Sequence, residues 1–347
     1  MEEQEILQQY QEEEVSLKEL VMALWRQKKI IISIALIFAI LTGIVSVFVL
    51  TPVYHTNLNI VINMPEVYHT KYGDYALPIT TNDQYINLIT SNDISIHTMK
   101  DIGYDAEEVT LEDLRERITV ETNTTKSGVE QNTFKVKVAA NNPVEAKQLA
   151  DVLFENYVEF IDVLTAQGAL NFYYNKFTVA LTSLEDSLES TQKILSKNEE
   201  LLAQTPQTIN QKAAMDELHG QGNVNEFIVL ENVINPNYTA IETDIVGNKQ
   251  SINSIENSMR VYNEYLEELD LLKEKIDDYY ETEDFDALEN SIVSASKTNI
   301  YLPSQPIEPS RKTSPRNAMN VAIGTVLGGM LGVFIALIKE YWFNENN

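Results

Sequence analysis

Two long runs of apolar residues stand out from an otherwise mixed chain of 347 residues. The first extends from Ile30 to Leu50 and the second from Ala318 to Ile338, and neither contains a charged residue. At about 1.5 Å per helical residue, each run is as long as the hydrocarbon core of a bilayer is thick. The first run begins too late and is too long for a signal peptide. Both runs are therefore predicted to be transmembrane helices, at residues 30–50 and 318–338.

Just after the first span, the pattern predicts strands and helices in turn. Apolar residues alternate with polar ones in TPVYHTNLNIVIN, RITVET and TFKVKVAA, which is typical of strands with one buried face. Helical segments lie between them at NDQYINLITS, NDISIHTMKDIGY and TLEDLRERI, the last opening with a Thr-x-x-Asp cap. Pro143 then begins a helix whose apolar stripe is Ala146, Leu149, Ala150, Leu153 and Tyr157. Residues 51–164 are predicted to form an α/β base next to the membrane.

The following segment, residues 165–300, has a heptad pattern instead. One seam comprises Phe177, Leu181, Leu184, Leu188, Thr191, Leu195 and Leu202. A second comprises Ile241, Ile245, Ile252, Ile255, Met259, Tyr262, Leu266, Leu269 and Ile276, with Asn248 and Lys273 at its polar positions. Pro206, Gly220 with Gly222, and Asn235–Pro236 interrupt the chain between the seams. Two such helices predict a long antiparallel hairpin projecting from the membrane, followed by a return to the base.

The predicted fold class is thus an α+β membrane protein, in which two transmembrane helices flank an outer α/β base domain with a long antiparallel helical hairpin. Prolines recur between base and second span, at Pro303, Pro306, Pro309 and Pro315. Because proline neither continues a helix nor donates to a sheet, residues 301–317 are predicted to form an extended strap. In the second span, Gly324, Gly328 and Gly332 form a ridge of small residues that favours close helix packing. The packing partner is either the first span or another subunit.

The distribution of charge predicts the orientation in the membrane. Arg26, Lys28 and Lys29 precede the first span, and the next basic residue after it is Lys71, which puts the N-terminus in the cytoplasm. Two spans return the C-terminus to the same side. Residues 1–29 and 339–347 are then cytoplasmic, and the segment between the spans lies outside. Arg311, Lys312 and Arg316 oppose this rule and are expected to meet lipid headgroups or acidic neighbours.

Composition excludes several kinds of chemistry. The formal net charge of −27 argues against nucleic acid as a partner. Cysteine is absent, which excludes disulfides, thiolate metal sites and cysteine nucleophiles. The four histidines lack ligand spacing, the acidic run KIDDYYETEDFDALE lacks that of a calcium loop, and no nucleotide-binding or hydrolase motif is present. We predict no enzyme activity, no cofactor and no metal.

Several stretches, taken in order, resemble the Wzz-type chain-length determinants, or polysaccharide co-polymerases. Residues 14–56 are similar to the region around the first span of these proteins, with Leu17, Leu20, Trp25, Arg26 and Lys28 before it and Pro52 and Tyr54 after it. VAANNPVEAKQLADVLFENYVEFID is similar to their segment of strand, proline and alanine-rich helix. The spaced prolines, then Ser314, Pro315 and Arg316, then a glycine-rich final span resemble the C-terminal region of the family.

This resemblance implies a non-enzymatic, ring-forming regulator of the chain length of a surface polysaccharide (O-antigen, capsule or exopolysaccharide). It implies a homo-oligomer in the bacterial cytoplasmic (inner) membrane, acting with a membrane polymerase.

Two other functions stay open at this point. The alternative within the family is a membrane adaptor that activates a separate cytoplasmic tyrosine autokinase during capsule or exopolysaccharide export. Tyr341 and Trp342 are its candidate contacts. A ligand-sensing receptor is the third hypothesis, disfavoured because nine residues after the second span make no output module.

Overall fold

The structure, a computed structural model, describes residues 17–105, 107–121, 131–213, 231–282, 285, 288 and 299–342. The chain divides into two compact units. One comprises Met1–Ile62, Thr81–Tyr157 and Tyr301–Asn347, and the other comprises Asn63–Thr80 and Val158–Ile300. The first unit contains both apolar helices and a β-sheet, and the second consists mainly of long helices.

The described elements follow one another from helix to sheet to long helix. In chain order the first are α1 (Leu17–Arg26), α2 (Lys28–Ile44) with a π-helical turn (Val45–Val49), β1 (Tyr54–Ile62), β2 (Val67–Thr70), β3 (Gly73–Ala76), α3 (Asn82–Asn87), α4 (Asn92–Ile102), α5 (Leu111–Glu116), β4 (Ile118–Glu121) and β5 (Thr133–Ala140). They continue with α6 (Pro143–Gln204), β6 (Thr208–Asn210), β7 (Asn232–Ile234), α7 (Pro236–Thr282), β8 (Ile300–Tyr301) and α8 (Asn317–Trp342). The predicted α+β class, with a sheet, a long helical pair and two apolar helices, is confirmed.

The two apolar helices lie where the apolar runs predicted them. Lys28–Val49 has a mean hydropathy of 2.8 and Asn317–Trp342 one of 2.4, and both are long enough to cross a bilayer. Most of their large side chains are exposed, Phe48 and Phe334 among them. A helix of this length with charged residues only near one end and exposed apolar side chains along the rest is typical of a membrane span and not of a soluble core.

The sheet of the first unit has the strand order β4-β5-β1-β8. β1 and β5 are antiparallel, with Leu58 opposite Val136 and Ile60 opposite Phe134. These four side chains are fully buried. The alternation that predicted the strands therefore reflects one face packed against the core.

Helices complete the core of this unit, and local signals fix where they begin. The Thr110 hydroxyl and the Asp113 carboxylate form a reciprocal capping box at α5. At the start of α6, the Glu145 amide donates to Asn142 Oδ1 over 2.8 Å. The predicted stripe of α6, from Ala146 to Tyr157, is fully buried. The helix predicted at NDQYINLITS ends earlier than expected, because α3 gives way to a 3-10 turn at Leu88–Thr90.

In the second unit, the distal part of α6 pairs with α7 in an antiparallel hairpin. The Lys249 ammonium lies 3.0 Å from the Glu199 carboxylate, and the ring of Phe177 stacks on that of Tyr262 at 5.3 Å. Contacts that pair rising numbers on one helix with falling numbers on the other require antiparallel helices. Strand β6 follows the end of α6 and β7 precedes the start of α7, with Ile209 opposite Val233.

One position of the predicted second seam is wrong. Lys273 is exposed and its ammonium pairs with Asp277 at 2.6 Å on the outside of the helix. Leu272 occupies the seam instead and is buried together with Ile276 and Tyr279. Burying an ammonium would cost several kcal/mol, so the helix turns its neighbouring leucine inward.

Candidate functional site

The glycine ridge of α8 faces α2. Gly324, Gly328 and Gly332 are all buried, whereas Gly329 has open space around it. A Cβ atom added to Gly328 would lie 2.6 Å from Phe38 Cβ and 3.0 Å from Ala35 Cα. One added to Gly332 would lie 2.9 Å from Ile31 Cα. Since carbon atoms prefer separations of about 3.5–4.0 Å, only glycine permits this approach of the two backbones.

An ion pair and a hydrogen bond join the residues directly before α2 to the end of α8. Arg26 Nη1 lies 3.1 Å from Glu340 Oε1, and Gln27 Nε2 donates to Glu340 Oε2 over 2.8 Å. Tyr341 and Trp342, the candidate kinase contacts, follow directly and are 38% and 75% exposed. Both rings are thus accessible to a partner at this end of the pair.

A series of hydrogen bonds between polar side chains joins the helices at the opposite end. Ser46, in the π-helical turn, lies 3.0 Å from Asn317 Oδ1 and accepts a hydrogen bond from Asn320 Nδ2 over 2.9 Å. The Lys312 ammonium donates to the same Asn317 oxygen over 3.2 Å. Sequence reasoning missed this group, because its members are about 270 positions apart and form no local motif.

The strap connects to the segment that leaves α2. The Val53 amide donates to Ser314 O over 2.9 Å, and the Thr313 amide donates to Val53 O over 2.8 Å. The Thr56 hydroxyl donates to Ile307 O over 2.8 Å. Pro306 and Pro315 are buried, and the Ser314–Pro315 bond is cis. Backbone hydrogen bonds therefore fix the strap beside the start of β1.

The remaining motif residues lie on either side of α2. Trp25 is 71% exposed, with Lys28 Nζ 4.5 Å from the centre of its ring. Pro52 is exposed and Tyr54 half-buried at the start of β1. Pro303 and Arg316 are exposed and Pro309 is half-buried in the strap. These side chains mark the entry to and exit from the helix pair.

A comparison with protein families concerns the N-terminal part of the chain. Residues 13–102 match the family model of Wzz, the chain length determinant protein. This segment, about a quarter of the chain, is similar to a Wzz domain. It contains α1, α2, β1, the β2–β3 hairpin, α3 and α4, and thus includes the Trp25–Arg26 motif and the first span. A search of curated protein sequences found no match.

Solved structures of similar backbone include co-polymerases. One is a full-length bacterial polysaccharide co-polymerase, 16% identical, with a TM-score of 0.48, covering 95% of this chain and 99% of its own. A fragment of WzzB from Salmonella Typhimurium is 13% identical, with a TM-score of 0.28, covering 76% and 100%. The wild-type O-antigen chain-length regulator WzzB of Shigella flexneri is 14% identical, with a TM-score of 0.29, covering 74% and 99%.

In the second unit, the β2–β3 hairpin and its contacts were not predicted. Tyr72 packs its ring within 5.0 to 5.9 Å of Tyr173, Phe177 and Tyr265 on the long helices. Its hydroxyl donates to Glu268 over 2.8 Å. The only local signal for this hairpin is Gly73, whose φ of 111° requires glycine at the turn.

Hydrogen bonds and an ion pair between ionisable side chains hold this hairpin in place. The Lys71 ammonium lies 2.7 Å from Glu268, and its hydrogen bond, followed by that of Tyr72, holds the pKa of the Glu268 carboxyl below its usual value. Burial raises the pKa of Tyr68 to about 12, although its hydroxyl accepts a hydrogen bond from Asn299. The lowered pKa of Glu268 reflects the stabilising contact with Lys71 and Tyr72, and neither shift produces a base near neutral pH.

In the first unit, the Glu145 carboxylate lies at the centre of a group of hydrogen bonds. It accepts hydrogen bonds from the Tyr104 hydroxyl over 2.7 Å and from Arg117 over 3.3 Å. Burial, and then the neighbouring Glu145, raise the pKa of Tyr104. Among the described residues no three acidic or histidine side chains cluster as metal ligands would, and the acidic run at 275–289 lies partly outside them.

Proposed function

We propose that this protein regulates the chain length of a bacterial surface polysaccharide, without catalysing a reaction itself. The observation that carries the proposal is the Wzz match at residues 13–102, which spans the first apolar helix and enters the sheet. The protein acts as a homo-oligomeric ring in the cytoplasmic membrane, beside a membrane polymerase, with both termini in the cytoplasm.

The arrangement of the first unit supports this role. Its two apolar helices are held together at both ends, and the strap is hydrogen-bonded to the residues that follow α2. A sheet fixed this closely to a helix pair can transmit a change at the polymerase to the outer part of the chain. Such a scaffold sets when growth of the polymer stops by its own geometry and needs no catalytic residue.

The test compares surface polysaccharide from cells that lack the protein with polysaccharide from complemented cells. On a gel, the defined size class should be lost in the deletion strain and restored by the intact gene. An unchanged size distribution in the deletion strain would refute chain-length control.

The kinase adaptor is the second candidate, favoured by the exposed rings of Tyr341 and Trp342 at the end of α8. On this alternative, deletion abolishes the polymer instead of shortening it. Replacing both Tyr341 and Trp342 by alanine would then reproduce the deletion. Under our proposal the same double variant keeps the normal size class.

A further inference from the structure

A groove runs along the outside of the α2–α8 pair. Its volume is about 390 Å³, and Phe38, Leu41, Val45, Ile323 and Leu327 supply most of its wall. From Phe38 to Leu50 the lining follows the last turns of the α-helix, the π-helical turn and its end, which span at most about 18 Å at 1.5 Å per residue. One leaflet accounts for about half of the roughly 30 Å hydrocarbon core. The groove therefore matches the depth of a single leaflet.

One end of the groove is polar. Ser46 and Asn320 both line it and bond to each other over 2.9 Å. Through Asn317, Ser46 is linked to the Lys312 ammonium, which lies 3.2 Å from Asn317 Oδ1. The groove is lined by Ser46 and Asn320 at one end, and Asn317 and the Lys312 ammonium are hydrogen-bonded next to them outside the lining. An apolar groove with such a polar end has the polarity of a lipid molecule, with the tail at one end and the headgroup at the other.

The charge at this end is unusual for so acidic a chain. Arg311, Lys312 and Arg316 are exposed, and none forms an ion pair with a described carboxylate. At the opposite end of the helix pair, Arg26 is neutralised by Glu340. Three cations that have no described carboxylate as a partner, of which Lys312 is linked through Asn317 to the polar end of the groove, complement an anionic group at headgroup depth.

We propose that this groove binds a lipid with an anionic phosphate headgroup. One acyl chain lies along Phe38, Leu41 and Leu327, and the phosphate contacts Lys312 at the polar end. A transmembrane helix in the same groove would leave the three cations without a counter-charge unless it brought carboxylates to that depth. A lipid supplies the chain and the charge at the required spacing.

The experiment uses the full-length protein in phosphatidylcholine vesicles that contain a trace of phosphatidylglycerol with a photoreactive acyl chain. After irradiation, mass spectrometry locates the labelled peptides. Labels are expected on residues 38–50 and 320–327. Unlabelled phosphatidylglycerol added at a few per cent of the lipid should reduce the labelling, whereas the same amount of additional phosphatidylcholine, or inorganic phosphate, should not.

Two matched pairs of variants test the two halves of the site. Val45→Phe fills the groove and should abolish labelling, while Val47→Phe, exposed on the same turn but outside the lining, should not. Lys312→Gln should weaken phosphatidylglycerol competition about fivefold, since a basic residue near the headgroups contributes about 1 kcal/mol. Lys339→Gln, at the other end of α8, is its control.

Three results would overturn the proposal. Equal competition by phosphatidylcholine would show that the groove holds bulk lipid without preference. Competition by inorganic phosphate would show an anion site that needs no chain. Crosslinks from the groove to a second copy of the protein, in place of lipid labels, would show that a neighbouring helix occupies it. Lys312 is exposed, so its variant is expected to fold and keeps the test decisive even if Val45→Phe does not.

Discussion

Replacing Gly328 by leucine should separate α2 from α8. Even a single added Cβ would lie 2.6 Å from Phe38 Cβ and 3.0 Å from the Ala35 backbone. These separations are about 0.5–1.4 Å shorter than carbon atoms prefer, and leucine adds three more carbons. The obstructing atoms belong to or adjoin the backbone of α2, so a rotamer change cannot relieve the contact and the helix itself must move.

The expected cost is about 1–3 kcal/mol, the usual range for overpacking a filled interface. That cost lowers the equilibrium constant for the packed pair by about fivefold to more than a hundredfold. Gly329→Leu is the matched control, because nothing lies within 4 Å of its added Cβ. It changes the same residue type one position along the same helix and should have no effect on packing.

Disulfide formation reports the approach of the helices directly, because the chain contains no cysteine of its own. A Cβ on Gly43 would lie 3.4 Å from Val321 Cγ2, so Gly43→Cys with Val321→Cys places two thiols within bridging range. Mild oxidation in membranes should form this disulfide rapidly in the chain that carries only the two cysteines. It should do so equally rapidly when Gly329→Leu is added. With Gly328→Leu the yield should fall sharply. Equal yields in the two leucine variants would refute the role assigned to the ridge, and the same variants should differ in polysaccharide size.

Two further predictions concern the two units separately. Glu268→Gln should speed amide exchange of the β2–β3 hairpin at pH 7, unlike Glu267→Gln. Because the pKa of Glu268 is lowered in the folded protein, the stability that its carboxylate contributes is present above the ordinary pKa of about 4.5 and is lost as the pH falls below the folded pKa. The difference between the variant and the unchanged protein should therefore vanish in acid. Equal protection at pH 7 would contradict this. In urea titrations Tyr157→Phe should raise the free energy of unfolding by about 1 kcal/mol, because its buried hydroxyl has no partner among the described residues, and Tyr104→Phe should lower it by a similar amount. A loss of stability in Tyr157→Phe would disprove the first half.

Much of the fold was predictable because its patterns are local. The strands β1 and β5 have one fully buried face, so apolar residues had to alternate with polar ones. The cap at Thr110 and the uncharged spans are equally explicit in the sequence. The β2–β3 hairpin lacks such a pattern, since the side chains of β2 are exposed or half-buried on both faces. Its stability comes from rings on distant helices, which no local rule reveals.

The prediction that placed Lys273 in the second seam was wrong for a related reason. Spacings of three and four residues both keep a side chain near the same face of a helix, so Leu272 and Lys273 were equally placed by period alone. In the structure Leu272 is buried in the seam, whereas the Lys273 ammonium is paired with Asp277 in solvent. Polarity should have decided between them at that point.

For the helix pair, the sequence identified the surface but left the partner open. A glycine ridge permits close packing against any helix and does not specify which one. The contacts of Gly324 with Thr42 and of Gly332 with Ile31 identify α2 of the same chain as the partner. The polar group at Ser46 could not be predicted, because its partners Asn317 and Asn320 belong to the other end of the chain.

The Wzz match ends at residue 102, yet the matched residues depend on the C-terminal segment that the match does not include. Val53 and Thr56 form hydrogen bonds to the strap, and Arg26 is paired with Glu340. Each of these contacts joins positions more than 250 residues apart. The first span and the start of the sheet are therefore joined to the strap and α8 by hydrogen bonds and an ion pair. Variants that remove these contacts in the strap should consequently weaken the packing of the matched segment, as variants within that segment would.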